Sequence, residues 1–495
     1  MRKSHLSYDL LLVGAASLLA ILHVCAWSHY PPDVDPINFT VALHRFSPAE
    51  DAPHPPGYPL FVFAARMASV LVGDNHAYQT VNLGMLLAAG GFIYLLFRHF
   101  KNPTLGIFSA LLMMSHPLAW AATVVPECYI SDTFFACAIL AWVVTQRSRP
   151  MPLLSGVFIL FFLLGLIRPV SGVMLLPMAM TACFLLAVGR NFRTPLLLAT
   201  LAITAIALAY FFTAHVAGGL PAYRSAALRV MGGAFSTNSV LGGAPITSHV
   251  KMLGHLGGWF LLLAWPAVVV LTYVLLKKRH LLKDSHYRHA ILIGGAWLLP
   301  TLMFYSFIYY LKPTYQLIYL PCLLIPVAWA FTQQAGWFNR KTSIIAFTLL
   351  VFAQLALFWY PFPQLPQSLF RQTEAYVKQQ DQAWDYLLEN LSALPTHDTL
   401  LIWMSHPSLS VYAVRLLKAE GPIATLKAGG SELNYLMPTT MSWLPPVPTG
   451  KVIDASYQGA IVIENVDGKA VVRYMPLPNP LSHQVDYLLK HHASE

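Results

Sequence analysis

Long apolar runs alternate with short polar breaks over the first 360 residues, and this pattern sets the first expectation. Eleven runs of about 17–22 residues are each long enough to cross a hydrocarbon core about 30 Å thick. They fall at 8–27, 76–97, 104–123, 129–145, 152–168, 169–188, 195–214, 256–276, 290–309, 316–332 and 342–360. The fifth and sixth divide one continuous apolar stretch at Arg168-Pro169, because the residue before a proline is driven out of helical geometry. The first run is long, and no small-residue cleavage site precedes the polar stretch after it, so it reads as an anchor. A shorter apolar run, 60–72, reads as a helix lying in the membrane interface.

Beyond a proline-rich run, Pro361–Pro366, the pattern changes. The first 360 residues carry 22 basic and 9 acidic side chains, the last 135 carry 9 and 12, so charge becomes nearly twice as dense. Residues 367–391 read as an amphipathic helix, TLLIWM (399–404) as a buried strand and 411–419 as a helix. Residues 460–475 read as a hairpin turning on Asp467-Gly468. The expected architecture is an all-α polytopic membrane module, 1–360, followed by a soluble α/β domain, 361–495.

Composition agrees. Only 11% of residues are charged and 56% are hydrophobic, against about 25% charged in ordinary soluble domains. That excludes a soluble globular enzyme, a disordered chain and a coiled coil. The net charge of +10 is no nucleic-acid signal, because Lys and Arg gather in short loops. With a cytoplasmic N-terminus the inside loops hold Arg2/Lys3, Arg98/Lys101, Arg147/Arg149, Arg190/Arg193, Lys277–Arg288 and Arg340/Lys341, a positive-inside pattern. The loops 28–75 and 215–255 and the C-terminal domain then face outside. The five cysteines have neither zinc nor disulfide spacing and read as small core hydrophobes.

Candidate chemistry concentrates on that outer side. Between residues 133 and 360 the one acid is Asp284, so the earlier carboxylates hold nearly all the acid–base capacity. Asp33 and Asp35 stand two apart in PPDVDPINF, in a loop stiffened further on by PHPPGYP (53–59), where His54 and Tyr58 sit. A rigid loop over the bilayer gives a general base the fixed geometry it needs. A DxD pair can also hold a divalent ion. Glu127 and Asp132 flank the very short segment VPECYISD, where a carboxylate close to the apolar slab needs a partner or a purpose. Arg168 in GLIRPVSG, Lys312 in YYLKPTYQLIYLP (with Tyr315) and Arg224 with Arg229 in the long loop supply cations. Arg168 and Lys312 read either as snorkelling anchors or as a phosphate clamp, Arg bidentate and Lys a point charge. The nineteen histidines show no metal-ligand spacing.

These motifs together resemble the GT-C superfamily of integral-membrane glycosyltransferases, in the branch of protein O-mannosyltransferases and lipid A aminoarabinose transferases. DVDPINF, HPPGYP, PECYISD, GLIRPVSG and KPTYQLIYLP carry the resemblance, over residues 28–330. The resemblance implies transfer of a sugar, with inversion, from a polyprenyl-phosphate donor to a hydroxyl of a protein, lipid or glycan acceptor on the outer face of a bacterial inner (plasma) membrane. It implies a general base at Asp35 or Asp33, with Asp35 favoured because it directly precedes PINF. Glu127 and Asp132 would shape the acceptor or second-acid region, Arg168 and Lys312 would hold the leaving phosphate, His54, Tyr58, Arg224 and Tyr315 would complete the substrate-binding set, and no cofactor is implied beyond an optional divalent cation. Where the eukaryotic O-mannosyltransferases have an Asp-Glu pair, Asp35 is followed by Pro-Ile-Asn, which leaves the choice between the two acids open. The alternative is a transporter or flippase of a lipid-linked sugar. Transporters place ionisable groups near the midplane and show repeats, whereas here the acids lie at the outer boundary and no repeat is visible. A catalytically inactive scaffold presenting the C-terminal domain is the other alternative.

Overall fold

In the computed structural model the chain is described over residues 2–360, apart from 30, 32–33, 49–51, 187–191, 311, 333–334 and 338. Beyond these it describes Glu374, Val377, Lys378, Asp381 and five strands between 399 and 476. Among the described residues fifteen α-helices occupy the N-terminal part. In order they are α1 (Arg2–Cys25), α2 (Val34–His44), α3 (Pro59–Val72), α4 (Ala77–His99), α5 (Pro103–Met114), α6 (Pro117–Thr123), α7 (Ile130–Gln146) and α8 (Pro150–Gly165). There follow α9 (Pro169–Leu186), α10 (Arg193–Val216), α11 (Leu220–Asn238), α12 (Ile246–Lys277), α13 (Ser285–Phe307), α14 (Leu320–Ala330) and α15 (Arg340–Trp359).

Each expected apolar segment falls on helix, but not all as single long spans. Among the described residues seven helices are long and apolar enough to cross a membrane: Leu6–Cys25, Asp74–His99, α9, α10, α12, α13 and α15. The segment expected at 104–123 is α5 plus α6, bent by 57°. His116 sets that break: its ring Nδ1 accepts the Leu118 N–H at 3.2 Å, and Pro117 starts the next helix. Helices α7, α8 and α14 have 17, 16 and 11 residues, at or below the short end for a span. The division at Arg168-Pro169 is real: α8 stops at Gly165 and α9 begins at Pro169. Proline is suited to a first helical position, whose N–H has no intrahelical partner in any case, and Pro59, Pro103, Pro117 and Pro150 start helices in the same way.

Two stretches expected as loops are helical. Within 28–75 the run 60–72, expected as a helix, is α3, while α2 and a short 3-10 turn at Asp74–His76 stand where loop was expected; within 215–255 lie α11, a 3-10 turn at Val240–Gly242 and the start of α12. The Gly/Ser-rich stretch 231–243 is therefore largely helix. Of the cysteines, Cys128, Cys137 and Cys183 are buried as expected, Cys322 is half-buried, and Cys25 is exposed.

Helices pack closely where small residues meet. A Cβ on Gly165 would lie 2.8 Å from the Ala209 Cβ, so α8 and α10 approach at van der Waals distance only because that position carries no side chain. Small residues are the usual device for such contact between apolar helices, where no hydrophobic effect drives association.

The chain divides into two compact units, one of Met1–Trp27 with Phe46–Ala375, the other of Ser28–Arg45 with Tyr376–Glu495. In the second unit the His29 N–H donates to both Asp381 carboxylate oxygens at 3.1 Å. Its sheet has the order β2-β3-β1-β4-β5, with β1 at Thr399–Met404, β2 at Ile423–Ala428, β3 at Ser431–Leu436, β4 at Gly459–Val466 and β5 at Lys469–Pro476. Strand β1 coincides with the expected TLLIWM; it pairs antiparallel with β3 and parallel with β4. In the β4–β5 hairpin Val466 faces Lys469, leaving Asp467-Gly468 as the connection. The expected helix 411–419 and the boundary run Pro361–Pro366 lie outside the described residues. Of 367–391, Glu374, Val377, Lys378 and Asp381 are described, in helical conformation.

Candidate functional site

The segment between α6 and α7 is held by one side chain. Asn82, in the second turn of α4, donates from its amide nitrogen to the carbonyls of Ala122 (3.3 Å), Val125 (3.1 Å) and Glu127 (2.7 Å). Two hydrogens thus serve three acceptors, and the turn carrying Glu127 is pinned to α4. The buried Glu127 carboxylate accepts from Lys312 Nζ at 2.8 Å. Five residues on, in the first turn of α7, Asp132 is fully buried and paired with the Arg168 guanidinium. A carboxylate in a first helical turn also benefits from the positive end of the helix dipole.

The two cations arrive from separate places in the chain. Arg168 sits at the break between α8 and α9, where its N–H donates to Leu164 O at 2.6 Å. Lys312 precedes a 3-10 turn, Pro313–Ile318, which hydrogen bonds from neighbouring helices fix. Thr133 Oγ1 of α7 donates to Leu317 O at 2.7 Å, and Trp297 Nε1 of α13 donates to Ile318 O at 2.7 Å. Gln316 donates from its amide to the Tyr310 hydroxyl at 2.9 Å. Burial pushes the Tyr310 phenol up, and that bond draws it only part of the way back, so it stays neutral.

Tyrosines wall the ion pairs. The Arg168 guanidinium lies 4.8 Å from the Tyr129 ring centroid and 5.6 Å from that of Tyr315, and Lys312 Nζ lies 6.0 Å from Tyr129. Tyr315 meets Tyr129 at 5.1 Å, Tyr305 at 5.6 Å, Tyr309 at 5.9 Å and Tyr310 at 6.1 Å. Cations held against aromatic faces in a dry environment are worth more than in water. The side chains of Lys312 and Arg168 keep 21% and 15% exposure, while that of Asp132 has none. An approaching anion therefore reaches the cations before it reaches Asp132. A phosphate could take over their hydrogen bonds, since both are charge-assisted donors.

The remaining expected residues belong to other elements of the chain. His54 Nε2 and the Tyr58 hydroxyl lie 2.9 Å apart, and Tyr58, with φ of 51°, precedes α3. The PHPPGYP turn is also tied to α11, where the buried Tyr223 hydroxyl donates to Pro56 O at 3.1 Å. Arg224, next along α11, is exposed and makes no contact with either ion pair among the described residues. Asp35 is half-buried in the first turn of α2, in the second unit; Asp33 lies outside the described residues. Among the described residues no three of His, Cys, Asp and Glu group as a metal site.

The structure brings together Glu127 with Lys312 and Asp132 with Arg168, pairing each acid expected in the acceptor region with a cation expected at the phosphate. It adds Asn82, Tyr129, Tyr305 and Tyr310, which are not among the residues expected from sequence. The available signals were a lone Asn amid apolar residues in segment two and the tyrosine density of 305–319.

No protein-family model matches the sequence, and no curated protein matches it significantly. Among solved structures the chain is similar to ArnT from Cupriavidus metallidurans bound to undecaprenyl phosphate, with TM-score 0.48 and 14% identity, over 78% of this chain and 71% of that one. The apo state of that protein gives 0.45 and 14%, over 79% and 72%. An Archaeoglobus fulgidus oligosaccharyltransferase tethered with an acceptor peptide gives 0.39 and 12%, over 78% and 57%.

Proposed function

We propose that this chain is an inverting membrane glycosyltransferase. It moves a sugar from a polyprenyl-phosphate-linked donor to a hydroxyl acceptor (protein, lipid or glycan) on the outer face of the membrane. The observation that carries the reading is the tyrosine-walled double ion pair, in which Arg168 and Lys312 are positioned before any substrate arrives. Preorganised cations aimed at developing charge are among the strongest catalytic devices. The motif resemblance over residues 28–330 supplies the rest.

In this reading the acceptor oxygen attacks the anomeric carbon from the face opposite the phosphate. The bond from that carbon to the phosphate oxygen breaks, and its electron pair leaves with the lipid phosphate. Arg168 and Lys312 bind that phosphate, while Glu127 and Asp132 hold the cations in place between turnovers. Asp35 takes the acceptor proton, Asp33 being the alternative base. His54, Tyr58 and Tyr315 line the substrate region. A divalent ion on the acidic pair is compatible with this scheme but not required by it, because the two side-chain cations already supply positive charge at the leaving group. The proposal includes eleven membrane crossings, with α7, α8 and α14 as short ones. It also includes a cytoplasmic N-terminus and an extracytoplasmic C-terminal domain from residue 361, an arrangement that the positive-inside distribution of Lys and Arg supports.

The test is transfer from a panel of radiolabelled polyprenyl-phosphate sugars into membrane extracts, comparing wild type with Asp35→Asn and Asp33→Asn. A general base is typically worth about 100- to 10,000-fold, so Asp35→Asn is expected to lose that much rate while still retaining the donor. Normal transfer by both variants would remove the acidic pair from the mechanism. Movement of the donor lipid across vesicles by a wild type that transfers nothing would favour the transporter instead.

A further inference from the structure

We infer that α11 is a membrane-surface helix whose Arg224 binds the headgroup of an anionic phospholipid. Helix α11 (Leu220–Asn238) joins two helices that are long and apolar enough to span, α10 and α12, yet it does not itself qualify as a span. The chain turns into it through Gly218 and Gly219, at φ of 95° and 102°. Side-chain-bearing residues rarely adopt that region, so the link between α10 and α11 depends on glycine.

The faces of α11 are unlike one another. Tyr223 and Ala226 are buried and fasten it to the rest of its unit, with Tyr223 bonded to Pro56 O. On the open side Leu220, Leu228 and Met231 are 44%, 60% and 64% exposed. They stand at positions −4, +4 and +7 from Arg224, which is exposed in their midst; by helix periodicity these four share one stripe. Five residues on, Arg229 is also exposed, but at 100° per residue it points about 140° away from Arg224 around the helix. An apolar stripe with a cation at its centre, on a helix too polar to span, matches a surface that beds into the interface. The long Arg side chain there extends to the phosphate level while its stem stays among hydrocarbon.

Charge fixes the occupant. Between Asp132 and Asp284 the sequence contains no other acid, and residues 215–255 carry Arg224, Arg229 and Lys251. A wholly basic connection has its complement in an anionic lipid surface. A zwitterionic one offers no net attraction.

The full chain in detergent would be titrated with dioleoyl-phosphatidylglycerol or dioleoyl-phosphatidylcholine, and retained lipid counted by native mass spectrometry. Wild type is expected to prefer phosphatidylglycerol. Arg224→Gln should weaken its tightest phosphatidylglycerol site about fivefold, the equivalent of about 1 kcal/mol per basic residue at an anionic surface. Arg224→Lys and Arg229→Gln should keep that site. Unchanged retention in Arg224→Gln would overturn the inference, as would equal loss in Arg229→Gln. Retained phosphatidylglycerol with lost polyprenyl phosphate would also overturn it, assigning Arg224 to the donor. On wild type alone, hydrogen exchange over 220–238 should be slower in nanodiscs containing phosphatidylglycerol than in phosphatidylcholine, and equal exchange in both would overturn it too.

Discussion

Replacing Asp132 while keeping Arg168 strands a guanidinium that has only 15% exposure to water. Breaking one side of a buried ion pair costs about 3–5 kcal/mol; the remaining exposure and the tyrosine faces put Asp132→Leu near the lower end, about 3 kcal/mol. Arg168→Met strands the fully buried Asp132 carboxylate and is expected to cost about the same, about 3 kcal/mol. The double variant removes both charges at once. What it still loses is the stacking of Arg168 on Tyr129 and Tyr315, about 2 kcal/mol for two cation–π contacts. The singles sum to about 6 and the double costs about 2, so the coupling energy is about 4 kcal/mol. It would be read from unfolding in mixed micelles of increasing dodecyl sulfate content, followed by circular dichroism, for wild type, both singles and the double. Additivity within about 0.5 kcal/mol would refute the reasoning, because it would mean that neither charge depends on the other.

Two further predictions come from packing and from the pinned turn. Asn82→Leu removes the donor shared by three carbonyls and should destabilise the chain by about 2–3 kcal/mol, lowering the detergent melting temperature; a melting curve superimposable on wild type would show that the Glu127 turn holds itself. Gly165→Ala places a methyl 2.8 Å from the Ala209 Cβ and should cost about 1–3 kcal/mol, part of which Ala209→Gly in the same chain recovers. Thermal unfolding of the three proteins checks this, and no recovery in the pair would mean that α8 and α10 do not meet there.

The helices that run through apolar stretches were legible because burial in lipid demands an uninterrupted apolar run, and length alone then identifies it. Helices α2 and α11 were not. Each mixes polar and apolar residues, and proline at Pro36 or Pro221, together with the glycines at 218–219, carries the signature of a loop. Proline in a first turn is as compatible with helix as with loop, and only the packing of Tyr223 and Ala226 against their unit separates the two for α11. At the site, the charged residues themselves stood out, since ionisable groups beside apolar helices are rare. Their pairing did not. Glu127 and Lys312 are 185 positions apart, and nothing local states which carboxylate meets which cation. That choice is made by Asn82, Thr133 and Trp297, whose hydrogen bonds to backbone carbonyls set where the two loops lie.

The balance of charge at the double ion pair has a kinetic consequence. Arg168 and Lys312 against Asp132 and Glu127 sum to zero, so the cluster projects little field beyond its own dimensions. Long-range steering of an anionic ligand, which can raise association rates by orders of magnitude, needs net charge of one sign. An arriving lipid phosphate would therefore be drawn in by two-dimensional diffusion and by its hydrocarbon tail, and would meet the cations only at contact, by exchange with a carboxylate. Soluble phosphate, nucleotides and other water-borne anions have no tail to hold them there. The same neutrality that leaves the cluster electrically quiet would then act as a filter, admitting anions according to the lipid attached to them rather than according to their charge.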